Sequence, residues 1–244
     1  MMNDSMIDIH CHILYGVDDG SRDKDMSLQM ARLAVENNIS DIIVTPHYTG
    51  AHHSVSPEGI RRRVEELQQA CEREGLNLKL YPGNELLYDS FLPDKLSGGE
   101  VLTLAGSRYC LIEFFPTDPF QYIQEGLRAV RYAGFHPILA HCERYACLVE
   151  KPEYAQILAD QEVLLQCNSA SVEPKLFQSV PKFVNGLLRR GLVSFIASDA
   201  HRAEGSRSPE LRRSVAWLKK KYDEDYVQDL LRRNALKIVK GDIL

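Results

Sequence analysis

Short β-branched or apolar runs alternate with longer amphipathic stretches from one end of the chain to the other. This switching between a two-residue and a 3.6-residue period restricts the fold to repeated βα units around a parallel sheet. The strand-like runs cover residues 6–12, 41–45, 78–82, 109–115, 136–141, 163–168 and 193–198. Helical patterns fall at 24–37, 57–74, 120–133, 152–160, 174–190, 209–222 and 225–239. Ser56 before Pro57 and Ser208 before Pro209 read as N-caps followed by a first-turn proline. Gly75, Gly134 and Gly191 suit the left-handed position just past a helix. With 244 residues and 44% hydrophobic side chains the chain can bury one substantial core, and no low-complexity tract or long linker marks a second domain. The expectation is one parallel α/β barrel spanning residues 1–244.

Composition narrows the function. A net charge of -5 lacks the basic excess that nucleic-acid binders use against phosphates, so DNA and RNA are poor candidates as partners. The chain runs within a few residues into Met6-Ile7-Asp8-Ile9-His10 without the basic and apolar regions of an export signal. No apolar run approaches the roughly 18–20 residues needed to span a bilayer. A cytoplasmic protein without direct membrane insertion is expected. Six cysteines, Cys11, Cys71, Cys110, Cys142, Cys147 and Cys167, include no C-x-x-C pair and read as free thiols, with Cys11, Cys110 and Cys167 as small core residues.

The chemistry lies at the ends of the runs. His10 and His12 close the first, His47 follows the second, and Glu85 follows the third through Pro82-Gly83-Asn84. Glu113 lies near the end of the fourth, His141 closes the fifth, and Asp199 and His201 follow the seventh. In a parallel barrel all these ends open on one face, where barrel enzymes assemble sites from distant segments. Residues i and i+2 of an extended strand share a side, so His10 with His12, and Asp199 with His201, can each offer two donors to one cation. Any one such residue alone reads as a hydrogen-bonded structural group. Together they would be costly to desolvate unless paired or metal-bound. His52, His53 and His136 are left as ordinary surface or structural histidines. Imidazole and carboxylate donors without thiolate suit manganese, iron or zinc, and their number exceeds what one ion needs. Clustered cations lower the pKa of bound water and clamp both oxygens of an in-line displacement, which suits hydrolysis of phosphate esters.

The segments Asp8-Ile9-His10-Cys11-His12, Val17-Asp18-Asp19-Gly20, Thr45-Pro46-His47, Gly83-Asn84-Glu85, His141-Cys142-Glu143-Arg144-Tyr145 and Ser198-Asp199-Ala200-His201 resemble the motifs of the PHP (polymerase and histidinol phosphatase) superfamily. Within it the chain is most similar to the bacterial manganese-dependent protein tyrosine phosphatases of capsule and exopolysaccharide synthesis. The resemblance implies a distorted, TIM-like (β/α)7 barrel with a trinuclear centre, manganese first and iron, zinc, cobalt or magnesium as alternatives. Carried over by motif, His10, His12, Glu85 and Asp199 bind one ion, and Glu85 bridges to a second held by Glu113 and His141. Asp19, His47 and His201 hold the third. Arg144 resembles the family's phosphate-binding arginine. For a second arginine Arg202 and Arg207 compete, with Arg207 favoured. The implied reaction is direct attack of activated water on phosphorus, and the implied target is the tyrosine-rich tail of a bacterial tyrosine kinase.

Rival readings are a small-molecule phosphatase of the same fold, such as one acting on histidinol phosphate, and a non-catalytic metal-binding interaction module. A thiol-based phosphatase needs an arginine six positions after its cysteine, and the residue six after Cys142 is Leu148. Cys142→Ser is therefore expected to keep most of the phosphatase activity; loss of activity in a variant that still folds would restore the thiol as a nucleophile.

Overall fold

The computed structural model describes residues 5–50, 54–173 and 179–244. Its strands are β1 (Met6–Cys11), β2 (Ile39–Val44), β3 (His47–Tyr48), β4 (Lys79–Pro82), β5 (Glu85–Leu87), β6 (Tyr109–Glu113), β7 (His136–Leu139), β8 (Leu164–Asn168) and β9 (Phe195–Ala197). All pairings are parallel, in the orders β1-β2-β4 and β3-β5-β6-β7-β8-β9. Each of the seven runs carries a strand. The two short additions, β3 and β5, prolong β2 and β4 beyond breaks at Thr45-Pro46 and Gly83-Asn84. The ring closes where Cys11 bridges Ala200 in parallel, with His12 N donating to Ala200 O and Asp199 N donating to His10 O, both at 2.8 Å. The result is the distorted seven-membered α/β barrel.

The helices are α1 (Lys24–Glu36), α2 (Pro57–Arg73), α3 (Leu92–Gly98), α4 (Phe120–Tyr132), α5 (Ala146–Glu150), α6 (Glu153–Asp160), α7 (Ser179–Arg189), α8 (Arg212–Lys221), α9 (Glu224–Gln228) and α10 (Asn234–Lys240). In α2 the Ser56 hydroxyl accepts from Gly59 N, Pro57 fills the first turn, and Ile60, Val64, Leu67 and Cys71 form the buried stripe. Each such Leu or Ile contributes about 1.5–3 kcal/mol by leaving water. Gly75, Gly134 and Gly191 adopt positive φ as expected. Ser208 does not cap α8, which starts at Arg212. Glu210 N instead donates to Ser208 O, and the segment turns there to bury Leu211. The 225–239 pattern is one helical path through a π-turn at Asp229–Arg233. Helices α3 and α5 were not apparent from periodicity because each is short. The start expected at Pro174, and the residues His52 and His53, lie outside the described residues. His136 is structural: its ring packs against Tyr109 at 4.9 Å.

Alternation along the strands separates two apolar clusters. Ile7, Ile9, Ile43, Leu111, Ile138 and Phe195 belong to one, with Ile238 of α10, while Ile42, Val44, Cys110, Ile112, Leu139 and Leu165 belong to the larger one beneath the helices. The first fills the barrel. Strand β1 breaks its own alternation: Asp8 pairs with Ile42 but Cys11 with Val44, three steps against two. This bulge places His10 and His12 above the Ile7–Ile9 layer, on the side where the barrel opens.

Asn84 fixes the break between β4 and β5. Its amide donates to Pro46 O at 2.9 Å and accepts from Leu102 N at 3.0 Å, at 2% exposure. Asn84→Ala strands the Leu102 N–H, and urea unfolding should show a loss of about 1–3 kcal/mol; an unchanged midpoint would show that the amide does not hold the break.

Candidate metal centre

All nine residues expected at the site come together at the C-terminal ends of the strands. Glu85, at the start of β5, is the hub. Its Oε2 lies 3.0 Å from His10 Nε2, 3.1 Å from His12 Nε2 and 3.2 Å from His47 Nδ1, and its Oε1 lies 2.8 Å from His141 Nε2. Asp199 Oδ1 stands 3.5 Å from His10 Nε2 and 3.6 Å from His12 Nε2. Glu113 reaches His47 at 2.8 Å and His141 at 3.8 Å. Asp19 faces His201 at 3.4 Å and His47 at 3.6 Å.

Three overlapping donor groups result: His10, His12, Glu85 and Asp199; His47, Glu85 and Glu113; and His12, Asp19, His47 and His201. Their donor atoms lie within 4.8 Å of one another, so each group can surround one cation. Glu85 Oε2 is buried and makes no well-formed hydrogen bond, although three imidazole nitrogens crowd it. That convergence of lone-pair donors fits cation ligation better than hydrogen bonding.

Electrostatics supports the same reading. Burial raises the Glu85 pKa, but the His10 charge and the close approach of the His10, His12 and His141 imidazoles outweigh it and hold the carboxyl well below its usual range. Burial likewise opposes ionisation of Asp199, yet the His10 and Arg144 charges bring it to about 2. His12 is disfavoured as a cation by burial and nevertheless rises to about 10 through Asp18 and Glu85. His201 falls to about 4 because burial and the His12 charge both oppose its protonation. Glu85 and Asp199 are anionic at neutral pH, and a divalent cation entering here would displace imidazole protons.

Sequence reading missed the groups that orient these candidate ligands. Asp18 accepts from His12 Nδ1 at 2.7 Å, from His47 N at 3.0 Å and from Gly20 N at 2.9 Å, leaving His12 Nε2 aimed at Glu85. The loop can lie this close to β1 only because residue 20 has no side chain: a Cβ there would meet His12 O at 2.3 Å. Gln166 Oε1 accepts from His10 Nδ1 at 3.0 Å and from His141 N at 2.7 Å, and Asn168 Nδ2 donates to Asp199 at 2.8 Å. The sequence shows them only as two polar residues, two apart, in an otherwise apolar run. His141 at φ 30° and Asp199 at φ 52° occupy left-handed backbone, a strain of about 1–3 kcal/mol each that the surrounding bonds sustain.

Beside the cluster opens a cleft of about 520 Å³ whose lining includes polar Asp19, His47, Glu113 and Arg144 and apolar Val17, Leu87, Phe115 and Pro116. Arg144 pairs with Asp199 while remaining half-exposed. Arg207 Nη2 lies 2.7 Å from His201 Nε2 and 3.8 Å from Asp199. Arg202 is otherwise engaged, with Nη1 donating to the carbonyls of Asp19, Gly20 and His201. Cys142 is fully buried and its Sγ sits 3.4 Å from that of Cys167 in the core.

A family model described as "Capsular polysaccharide synthesis, CpsB/CapC" matches residues 6–240. The chain belongs to this family. It is 33% identical over 197 residues to tyrosine-protein phosphatase YwqE of Bacillus subtilis, covering 80% of this chain and 77% of YwqE. To tyrosine-protein phosphatase CpsB of Streptococcus pneumoniae it is 30% identical over 98% of this chain and all of that one. A crystal structure from a study of YwqE and CpsB, described there as unique metal-dependent tyrosine phosphatases, superposes with TM-score 0.91 at 29% identity, covering 98% of this chain and 96% of that chain. The Escherichia coli phosphotriesterase homology protein shares only the fold, with TM-score 0.60 at 12% identity over 98% of this chain and all of that one.

Asp18→Ala should weaken divalent-metal binding roughly 10–100-fold, the usual cost of losing a ligand's orienting partner. Competition with a metallochromic chelator measures this; an unchanged affinity would remove Asp18 from the support of His12.

Proposed function

We propose that this chain is a metal-dependent protein tyrosine phosphatase that hydrolyses phosphotyrosine on a protein partner, the tail of a bacterial tyrosine kinase in capsule or exopolysaccharide synthesis. The observation that carries the proposal is the sharing of buried Glu85 between donor groups at the floor of a cleft that also presents Arg144. Similarity to YwqE and CpsB supports the substrate class.

His10, His12, Glu85 and Asp199 would hold one ion, Glu85, Glu113 and His141 a second, and Asp19, His47 and His201 a third. His47 stands close enough to Glu85 and Glu113 to contribute to the second as well. The family resemblance points to manganese, and the mixed imidazole and carboxylate donors suit it, with iron, zinc, cobalt and magnesium as alternatives. Such a cluster supplies Lewis acidity and lowers the pKa of water.

The protein's own part is positioning. Arg144 and Arg207 flank the cluster, where their planar forks can each hold phosphate oxygens. Val17, Leu87, Phe115 and Pro116 give the cleft apolar lining against which a phenyl ring can pack. The leaving phenolate, with a pKa near 10, is stable enough that no strong general acid is needed. Among the described residues no helix is long and apolar enough to cross a membrane.

Kinetics on a phosphotyrosine peptide and on histidinol phosphate in parallel test the substrate class. The peptide should be strongly preferred, EDTA should abolish turnover and manganese should restore it; preference for histidinol phosphate would sink the protein-phosphatase reading. Arg144→Ala should lower kcat/KM roughly 10–150-fold, equivalent to about 1.5–3 kcal/mol for a charge-assisted contact, and unaltered kinetics would place Arg144 outside the site.

A further inference from the structure

A second cluster of potential ligands sits behind the first and takes no part in the phosphatase chemistry. Cys142, Glu143 and Cys167 are all buried, and their Sγ and carboxylate atoms lie within 4.8 Å of one another. Glu143 is 2% exposed, and Asn168 N donates to its Oε1 at 2.9 Å. Its Oε2 has no hydrogen-bond partner among the described residues. A buried carboxylate oxygen without a partner costs about 1–3 kcal/mol and calls for a water or an ion.

The sulfur spacing, within reach of a thiol hydrogen bond, also admits an ion. At 3.4 Å the two Sγ atoms are far from the roughly 2.05 Å of a disulfide. Two thiolates on one tetrahedral zinc, each about 2.3 Å from the metal, stand roughly 3.8 Å apart. The pair reaches that separation by moving a few tenths of an ångström.

We propose that Cys142, Glu143 and Cys167 form a separate binding site for a thiophilic divalent cation of the zinc and cadmium class. Two thiolates and one carboxylate oxygen each donate an electron pair, the two thiol protons pass to solvent, and nothing is oxidised or reduced. Thiolate ligation selects against manganese, so the two centres differ in the metals they accept. Asn168 leads into the turn Ser169–Ser171, and Ser169 and Ala170 line a surface cleft of about 560 Å³. An ion here ties the end of β8 to the turn after β7. It thereby stiffens the segments that carry His141 and the Asn168 amide bound to Asp199.

Titration of manganese-loaded protein with cadmium chloride, followed by the ultraviolet thiolate-to-cadmium charge-transfer band, tests the site. One equivalent per chain should produce the band, Cys142→Ala and Cys167→Ser should each abolish it, and Glu143→Gln should weaken cadmium binding at least tenfold. Thermal melts and manganese-supported hydrolysis by the cysteine variants report that they still fold. Absence of the band in wild-type protein, its survival in either cysteine variant, or an affinity indifferent to Glu143→Gln would each overturn the proposal.

Discussion

The structure depends on the burial of Glu85 and Asp199 at the mouth of a parallel barrel. A carboxylate removed from water is expensive unless opposite charge stands close by, and no single strand can supply enough of it. Imidazoles from β1 and the residue after it, from the segments after β2 and β7, and from the loop after β9 therefore converge on the same few oxygens. The same convergence suits a polyvalent cation, because donors that neutralise a carboxylate from several directions can also surround a metal.

The irregularities of the sheet follow from that requirement. A regular β1 would continue the alternation set by Ile7 and Ile9, whereas the bulge before Cys11 puts His10 and His12 above the apolar layer. The breaks after β2 and β4 redirect the chain so that His47 and Glu85 pair in register on β3 and β5. Left-handed backbone at His141 and Asp199 aims two more ligands inward. Gln166, Asn168 and Asp18 hold these departures in place by fixing ring tautomers and carboxylate directions. Apolar packing of strands on helices and of the barrel interior supplies the stability from which such strain can be sustained.

Much of this was legible in the sequence because period and topology suffice to predict it. Seven apolar runs separated by amphipathic stretches specify a parallel barrel, and topology then assembles His10, Glu85, His141 and Asp199 without knowledge of any side-chain angle. What escaped is what depends on local geometry. The Ser208-Pro209 signature resembled a helix start, but burial of Leu211 delayed α8 to Arg212. Gln166 and Asn168 looked like ordinary residues of a strand, since an amide's role as an orienting partner shows only when the ligand beside it is placed. The surroundings of Arg202 and Arg207 likewise lie beyond the sequence: backbone carbonyls engage Arg202, whereas Arg207 faces His201 and Asp199.

The central claim is that strand-end imidazoles and carboxylates are the ligands of a cation cluster centred on Glu85. Anomalous X-ray scattering from crystals of manganese-saturated protein tests it most directly. The account predicts peaks within coordination distance of both Glu85 oxygens, one flanked by His10, His12 and Asp199 and another by Glu113 and His141, with a further peak between Asp19 and His201. Manganese bound elsewhere, or a Glu85 carboxylate that touches only protein atoms in the saturated crystal, would contradict it.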